Sequence, residues 1–227
     1  VRIYDAKTLA LLRETATETP CQWAEFDGAQ QLHVVCQRVV LQYNGLQLAR
    51  MRESESGAFF KGALSPDGRN LAVSHLASAQ VDLLDTSDLT LRPMVSQDKQ
   101  GLASTDVGEL VLSWSQGGRY LYGAGRRLNS QVSGNRLFKW QAGDKGAALA
   151  IDLGPLDALS MLGGRDGKIY IGTSSATVVT IDGKDHVKTA IENATIDSEN
   201  RPGGLLVSPD GRTVAYSDDH AGARRYV

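Results

Sequence analysis

The sequence predicts an all-β chain made of short four-stranded antiparallel sheets. Three observations carry that prediction: one turn motif recurs, its copies are almost evenly spaced, and two further short strands follow each copy. Four segments share the motif, with turns at Ser65-Pro66-Asp67-Gly68-Arg69, Ser115-Gln116-Gly117-Gly118-Arg119, Gly164-Arg165-Asp166-Gly167-Lys168 and Ser208-Pro209-Asp210-Gly211-Arg212. A weaker copy surrounds Asp27-Gly28-Ala29-Gln30. Each copy has an apolar strand, a tight turn, a polar residue and a second apolar strand. The turn chemistry suits a reversal: glycine takes positive φ, proline presets the entry, and aspartate bonds nearby backbone. The positions Asp27, Asp67, Gly117, Asp166 and Asp210 lie 40, 50, 49 and 44 residues apart. A period of ~40–50 residues with about four strands each is the signature of a β-propeller.

The elements follow in order. Third strands are expected at 38–43, 80–85, 136–140 and 177–182, and fourth strands at 46–51, 91–95, 148–153 and 186–191. They are short, β-branched or aliphatic, and bounded by turn residues such as Asn44-Gly45, Ala142-Gly143-Asp144 and Asp182-Gly183-Lys184. No long segment sustains a 3.6-residue period, so no long helix is expected. A sandwich gives no reason to repeat one turn five times, and a β-helix uses a shorter rung. The expected packing buries Leu64, Leu71, Val73, Leu112, Leu121, Ile171, Leu206, Val207 and Val214 between sheets.

Composition narrows the function classes. The chain has 227 residues, 41% hydrophobic and 22% charged, with a net charge of −2. That suits a globular protein with a large core and supplies no global field for nucleic acid or an anionic membrane. No apolar run approaches the ~20 residues of a membrane-spanning helix. The first residue lies in mid-strand, as in an excerpt from a longer, multidomain chain.

These motifs resemble the superfamily of WD-repeat and related bacterial propellers of the Ser-Pro-Asp-Gly type, across nearly the whole chain. Val1-Arg2-Ile3-Tyr4-Asp5 resembles a third strand ending at the Trp-Asp position. Trp-Asp itself does not occur; Tyr4-Asp5, Leu84-Asp85 and Ile181-Asp182 stand in its place. The organisation expected is one propeller over 1–227, with a partial blade at 1–19, blades near 20–56, 57–104, 105–156 and 157–200, and a partial blade at 201–227. Residues 223–227 read as another third strand. The hairpin at 203–219, completing the pair at 1–14 in one shared blade, would close a five-bladed ring; the duplicated third strand argues instead for a ring with more blades than this chain contains, such as a seven-bladed one.

Candidate functional residues are few. Cys21 and Cys36 face each other across the first hairpin, either as a disulfide or as two buried thiols. The thiol reading is preferred, because directly paired cross-strand disulfides are awkward. No Cys-x-x-Cys, Gly-x-Ser-x-Gly, Walker or His-Glu-x-x-His motif occurs, so no catalytic residue, metal or cofactor is expected. The histidines His33, His75, His186 and His220 have no ligand spacing. Glu25, Asp106, Glu109 and Asp157 are the carboxylates that a metal-dependent version would need, and they form no repeated set.

In propellers of the resembling superfamily, second-to-third-strand loops and blade-to-blade loops share one face. Here those loops include 52–57, 74–79, 96–108, 124–135, 174–176, 197–203 and 218–222. The longest, 124–135, is expected to present Arg126 and Arg127, and the face gathers Arg201, Asp218, Asp219 and His220. The reading is a non-catalytic scaffold for a protein or peptide partner, or a ligand-sensing one, without nucleic acid or membrane binding. The alternative is a lactonase-like hydrolase or a domain gating a peptidase. The expected location is cytoplasmic, or extracytoplasmic if Cys21 and Cys36 are bridged.

Overall fold

The computed structural model describes residues 1–55, 57–92, 107–127, 135–143, 149–174, 177–192, 205–208 and 212–216. Among these residues there are twenty strands and no helix. Four sheets have four antiparallel strands in sequence order. They are β3 (Cys21–Phe26), β4 (Gln31–Cys36), β5 (Val39–Asn44), β6 (Gln47–Glu53); β7 (Phe59–Leu64), β8 (Asn70–His75), β9 (Val81–Asp85), β10 (Leu91–Arg92); β11 (Val107–Trp114), β12 (Tyr120–Arg127), β13 (Asn135–Gln141), β14 (Leu149–Gly154); and β15 (Ala158–Gly163), β16 (Ile169–Thr173), β17 (Val178–Ile181), β18 (Val187–Ile191). Two-stranded sheets stand at each end, β1 (Arg2–Tyr4) with β2 (Leu11–Glu14), and β19 (Leu205–Val207) with β20 (Val214–Tyr216).

The first strands of successive sheets pack on one another in the order β3, β7, β11, β15, β19, which makes them the inner strands. Each hydrophobic cluster joins neighbouring sheets, and the one around Tyr122 and Ile171 takes in Phe60 of a third. Val35 and Val40 meet Leu71, Val73, Leu84 and Leu89; Ala63, Ala72 and Leu83 meet Leu112, Trp114 and Leu121; Tyr122 and Leu137 meet Ile169, Ile171 and Val179. Each sheet is therefore buried on both faces toward its inner edge. That burial explains the near-continuous aliphatic runs of β4, β8 and β16.

The turns of the inner hairpins cluster at one end. A Cβ on Gly68 would lie 3.6 Å from Asp27 Cβ, and one on Gly118 would lie 3.5 Å from Pro66 Cδ. The Asp210 turn lies outside the described residues. Of the residues expected to be buried, Leu71, Val73, Leu112, Leu121 and Ile171 are buried, and Leu64, Val207 and Val214 are partly buried. Leu206 is the exception, at 60% exposed. Its neighbour Leu205 takes the inward side of β19, and among the described residues no further sheet covers the side that Leu206 faces.

Candidate binding surface at the starts of the inner strands

The inner strand of each four-stranded sheet begins with a β-bulge. The register of the inner hairpin shifts between Cys21 and Trp23, Phe59 and Gly62, Gly108 and Val111, and Ala158 and Ser160. One extra residue on the inner strand bends it and re-aims side chains at the end opposite the turns. Buried Ser74 ties two bulges together. Its hydroxyl accepts the Lys61 N–H at 3.1 Å and donates to the Leu110 carbonyl at 2.7 Å. Glu109, at φ 52°, donates its N–H to the Leu76 carbonyl of the preceding sheet at 3.2 Å.

This construction corrects the expectation for Arg126 and Arg127. They do not sit in a loop running from 124: β12 continues through Arg127, with Arg126 opposite Gly108 and Arg127 opposite Val107. Ala124 is fully buried. Gly125 is needed where it stands, because a Cβ there would meet the Gly108 carbonyl oxygen at 2.2 Å. The Arg126 guanidinium is half exposed and lies 4.0 Å from the Glu109 carboxylate. Arg201, Asp218, Asp219 and His220 lie outside the described residues.

Other polar groups surround the same end. Asn135, fully buried, donates to the Gly125 carbonyl at 2.5 Å and to Asp157 Oδ1 at 3.2 Å, tying this sheet to the next. His75 Nε2 lies 3.1 Å from Asp82 Oδ2, and its ring meets Phe59 edge-on. Burial pushes the Asp82 carboxyl up, but hydrogen bonds from His75 and Gln80 outweigh it and hold the group below its ordinary value. Burial alone pulls the Lys61 ammonium down; it reaches the Gln22 carbonyl at 3.4 Å. Glu25, at the turn end beside Leu64, goes the other way, raised by desolvation against an opposing bond from the Leu64 N–H. The bulges, Ser74 and Asn135 carry no sequence signal beyond the glycines beside two of them, Gly62 and Gly108.

Cys21 and Cys36 pair directly across β3 and β4, and they are joined as a disulfide. The preferred reading of two thiols is corrected. The bulge after Cys21 puts the bond at the frayed start of the hairpin, where the register is already irregular. Glu25, Glu109 and Asp157 point to different neighbours. Among the described residues no group of three His, Cys, Asp or Glu could hold a metal ion.

No protein-family model and no curated protein matches the sequence. Solved structures do match. The hydrazine synthase of Kuenenia stuttgartiensis superposes with a TM-score of 0.73 at 14% identity, over 95% of this chain and 66% of that one. The Cps50 (Swd1) β-propeller domain of Myceliophteria thermophila superposes with a TM-score of 0.68 at 14% identity, over 100% of this chain and 78% of that one. The fold is a β-propeller. Each four-stranded sheet is a blade, and the chain spans about two thirds of the hydrazine synthase chain it matches. At this identity the likeness speaks for the propeller alone, and activity has to be argued from the surface.

Proposed function

We propose that the propeller is a non-catalytic scaffold that binds a protein or peptide at the strand-start rim, as a module of a larger protein. The observation that carries this reading is Arg126. A bulged, glycine-locked hairpin fixes its backbone, while its guanidinium stands half exposed, with Glu109 at 4.0 Å, beyond hydrogen-bond reach. A planar fork on a rigid base loses little freedom when it captures a carboxylate, and arginine is enriched among interface hot spots. Arg127 follows it at the end of the same strand. The Cys21–Cys36 bridge supports an oxidising compartment as the working location.

The test reverses both charges, Arg126→Glu with Arg127→Glu, and compares capture of the partner that co-purifies with the full-length protein. Stability should shift by only about ±0.5 kcal/mol, as for exposed substitutions, while the partner is lost. Lys168→Glu, at the opposite end beside Asp166, should leave capture intact. Retention of the partner by a folded double variant sinks the proposal.

A further inference from the structure

The two cysteines of the first hairpin differ in what can reach them. Cys21 opens β3 and is exposed, its sulfur 3.6 Å from Thr17 Oγ1 and 3.9 Å from the Thr19 carbonyl oxygen. Cys36 closes β4 and is fully buried, packed with Leu32, Val34 and Tyr43. The chain has no third cysteine with which either sulfur could re-pair. An incoming thiolate therefore has one line of approach, to Cys21 Sγ.

The residue after each cysteine holds the next blade. The Gln37 carbonyl accepts the Phe59 N–H at 2.7 Å, and the Gln22 carbonyl accepts the Lys61 ammonium at 3.4 Å. Both contacts land on the bulge at the start of β7, where the register shifts between Phe59 and Gly62. From there Phe59 meets the His75 ring edge-on, and Lys61 N–H bonds the Ser74 hydroxyl that reaches Leu110 of the third complete blade. The far end of the Cys21–Cys36 hairpin is closed independently. Asp27 N–H donates to the Gln31 carbonyl at 3.0 Å, and Asp27 Oδ2 lies 3.1 Å from His33 Nε2. At the rim end Gln37 N–H also donates to the Pro20 carbonyl at 3.0 Å, which keeps the two sulfurs opposite each other when the bridge opens.

We propose that Cys21–Cys36 is a thiol–disulfide exchange site that takes a dithiol and, once opened, loosens the hold of β3 and β4 on the start of β7. One thiolate of the reductant attacks Cys21 Sγ. The sulfur–sulfur bond breaks with its electron pair leaving on Cys36, which takes up a proton. Cys36 then stands opposite the mixed disulfide on Cys21, held there by the hairpin register. A monothiol bonded to Cys21 is expelled by this neighbour, and the bridge re-forms. A dithiol escapes that reversal: its second thiol attacks its own bonded sulfur and releases Cys21 as a thiolate, which is protonated in turn. Two electrons and two protons have passed to the protein, and the reductant departs as a disulfide.

The experiment compares dithiothreitol with mercaptoethanol at equal thiol concentration on the full chain, quenched with an alkylating reagent and read by mass spectrometry. Dithiothreitol should open the bridge without denaturant where mercaptoethanol leaves it closed, and alkylation should reach Cys21 before Cys36. In the opened chain, exchange of the Phe59 amide should quicken by about tenfold or more, while the Asp27 and Ser65 amides at the turn end keep their rates. Cys21→Ser with Cys36→Ser should show the fast Phe59 exchange with no reductant present; should that variant not fold, the wild-type comparison decides alone. Opening that requires denaturant, equal opening by mercaptoethanol, or an unchanged Phe59 rate in the opened chain each overturns the proposal. So does acceleration shared equally by the turn-end amides, which would make the bridge a brace for the whole fold.

Discussion

Trp114 donates its indole N–H to the main-chain carbonyl of Ala63 at 3.0 Å, across the boundary between two blades. Both residues are buried, and the bond joins one inner strand to the next. Trp114→Phe keeps most of the apolar contact and leaves the Ala63 carbonyl without this donor. A buried acceptor stripped of its partner costs about 1–3 kcal/mol. The unfolding free energy should fall by that amount, read as a lower urea midpoint at an unchanged slope; a loss within error of zero would show the bond to be dispensable.

The hairpin motif was legible because it is a hydrogen-bond device in its own right. Ser65 Oγ accepts the Asn70 N–H at 2.9 Å and donates to Asp67 Oδ1 at 2.6 Å. Ser115 and Ser208 accept from Tyr120 and Thr213 in the same way. Such devices need adjacent residues of fixed type, so they repeat visibly. The rim was less legible, for a different reason. Gly123-Ala124-Gly125 looks like a strand breaker, yet Gly125 is there for the close approach of Gly108, a contact made 17 residues away. Cys21 and Cys36 could be placed opposite each other from the turn, but bonded and reduced pairs share that register, so spacing did not separate them.

Asp85 closes the turn between β9 and β10, and its carboxyl is lowered from 3.8 to about 2. Hydrogen bonds from the Ser87 hydroxyl and N–H are the largest causes, followed by Arg92. A carboxyl depressed in the folded state contributes stability above its unfolded value, and that contribution disappears as the pH falls through the folded one. The stability gap between wild type and Asp85→Asn should therefore be constant near neutrality and close between pH 3.8 and about 2. A gap that holds at pH 2 would mean the carboxylate charge is not what the turn uses.

The Cys21–Cys36 bond closes a loop with a sequence separation of 15. Loop entropy for that length corresponds to about 3 kcal/mol at 25 °C. Reduction, or the double variant Cys21→Ser with Cys36→Ser, should lower the unfolding free energy by about that amount. Titration of the denatured, unreduced chain should find no free thiol. Two titratable thiols under those conditions would remove the bond and with it the case for an oxidising compartment.

Lys139 ties the third complete blade to the fourth at the turn end. Its ammonium lies 2.6 Å from Asp185 Oδ1, and 4.2 Å and 5.6 Å from the ring centroids of Tyr120 and Tyr122. Desolvation pulls its pKa down, but the hydrogen bond it donates to Asp185 and the neighbouring charges outweigh it and leave the group raised. A cation raised in the folded state contributes stability below its unfolded pKa, and the contribution is lost as the pH rises through the folded value. Lys139→Met keeps the stem against the tyrosines and removes the charge, at a cost of about 1–2 kcal/mol for a partly exposed charged hydrogen bond. Asp185→Asn should cost less, because Asp185 is the more exposed partner and leaves the ammonium on the rings. In a double-mutant cycle the two changes should cost less together than their sum, and the coupling should vanish in strongly alkaline buffer. Additive losses at neutral pH would show that Lys139 acts through its stem alone.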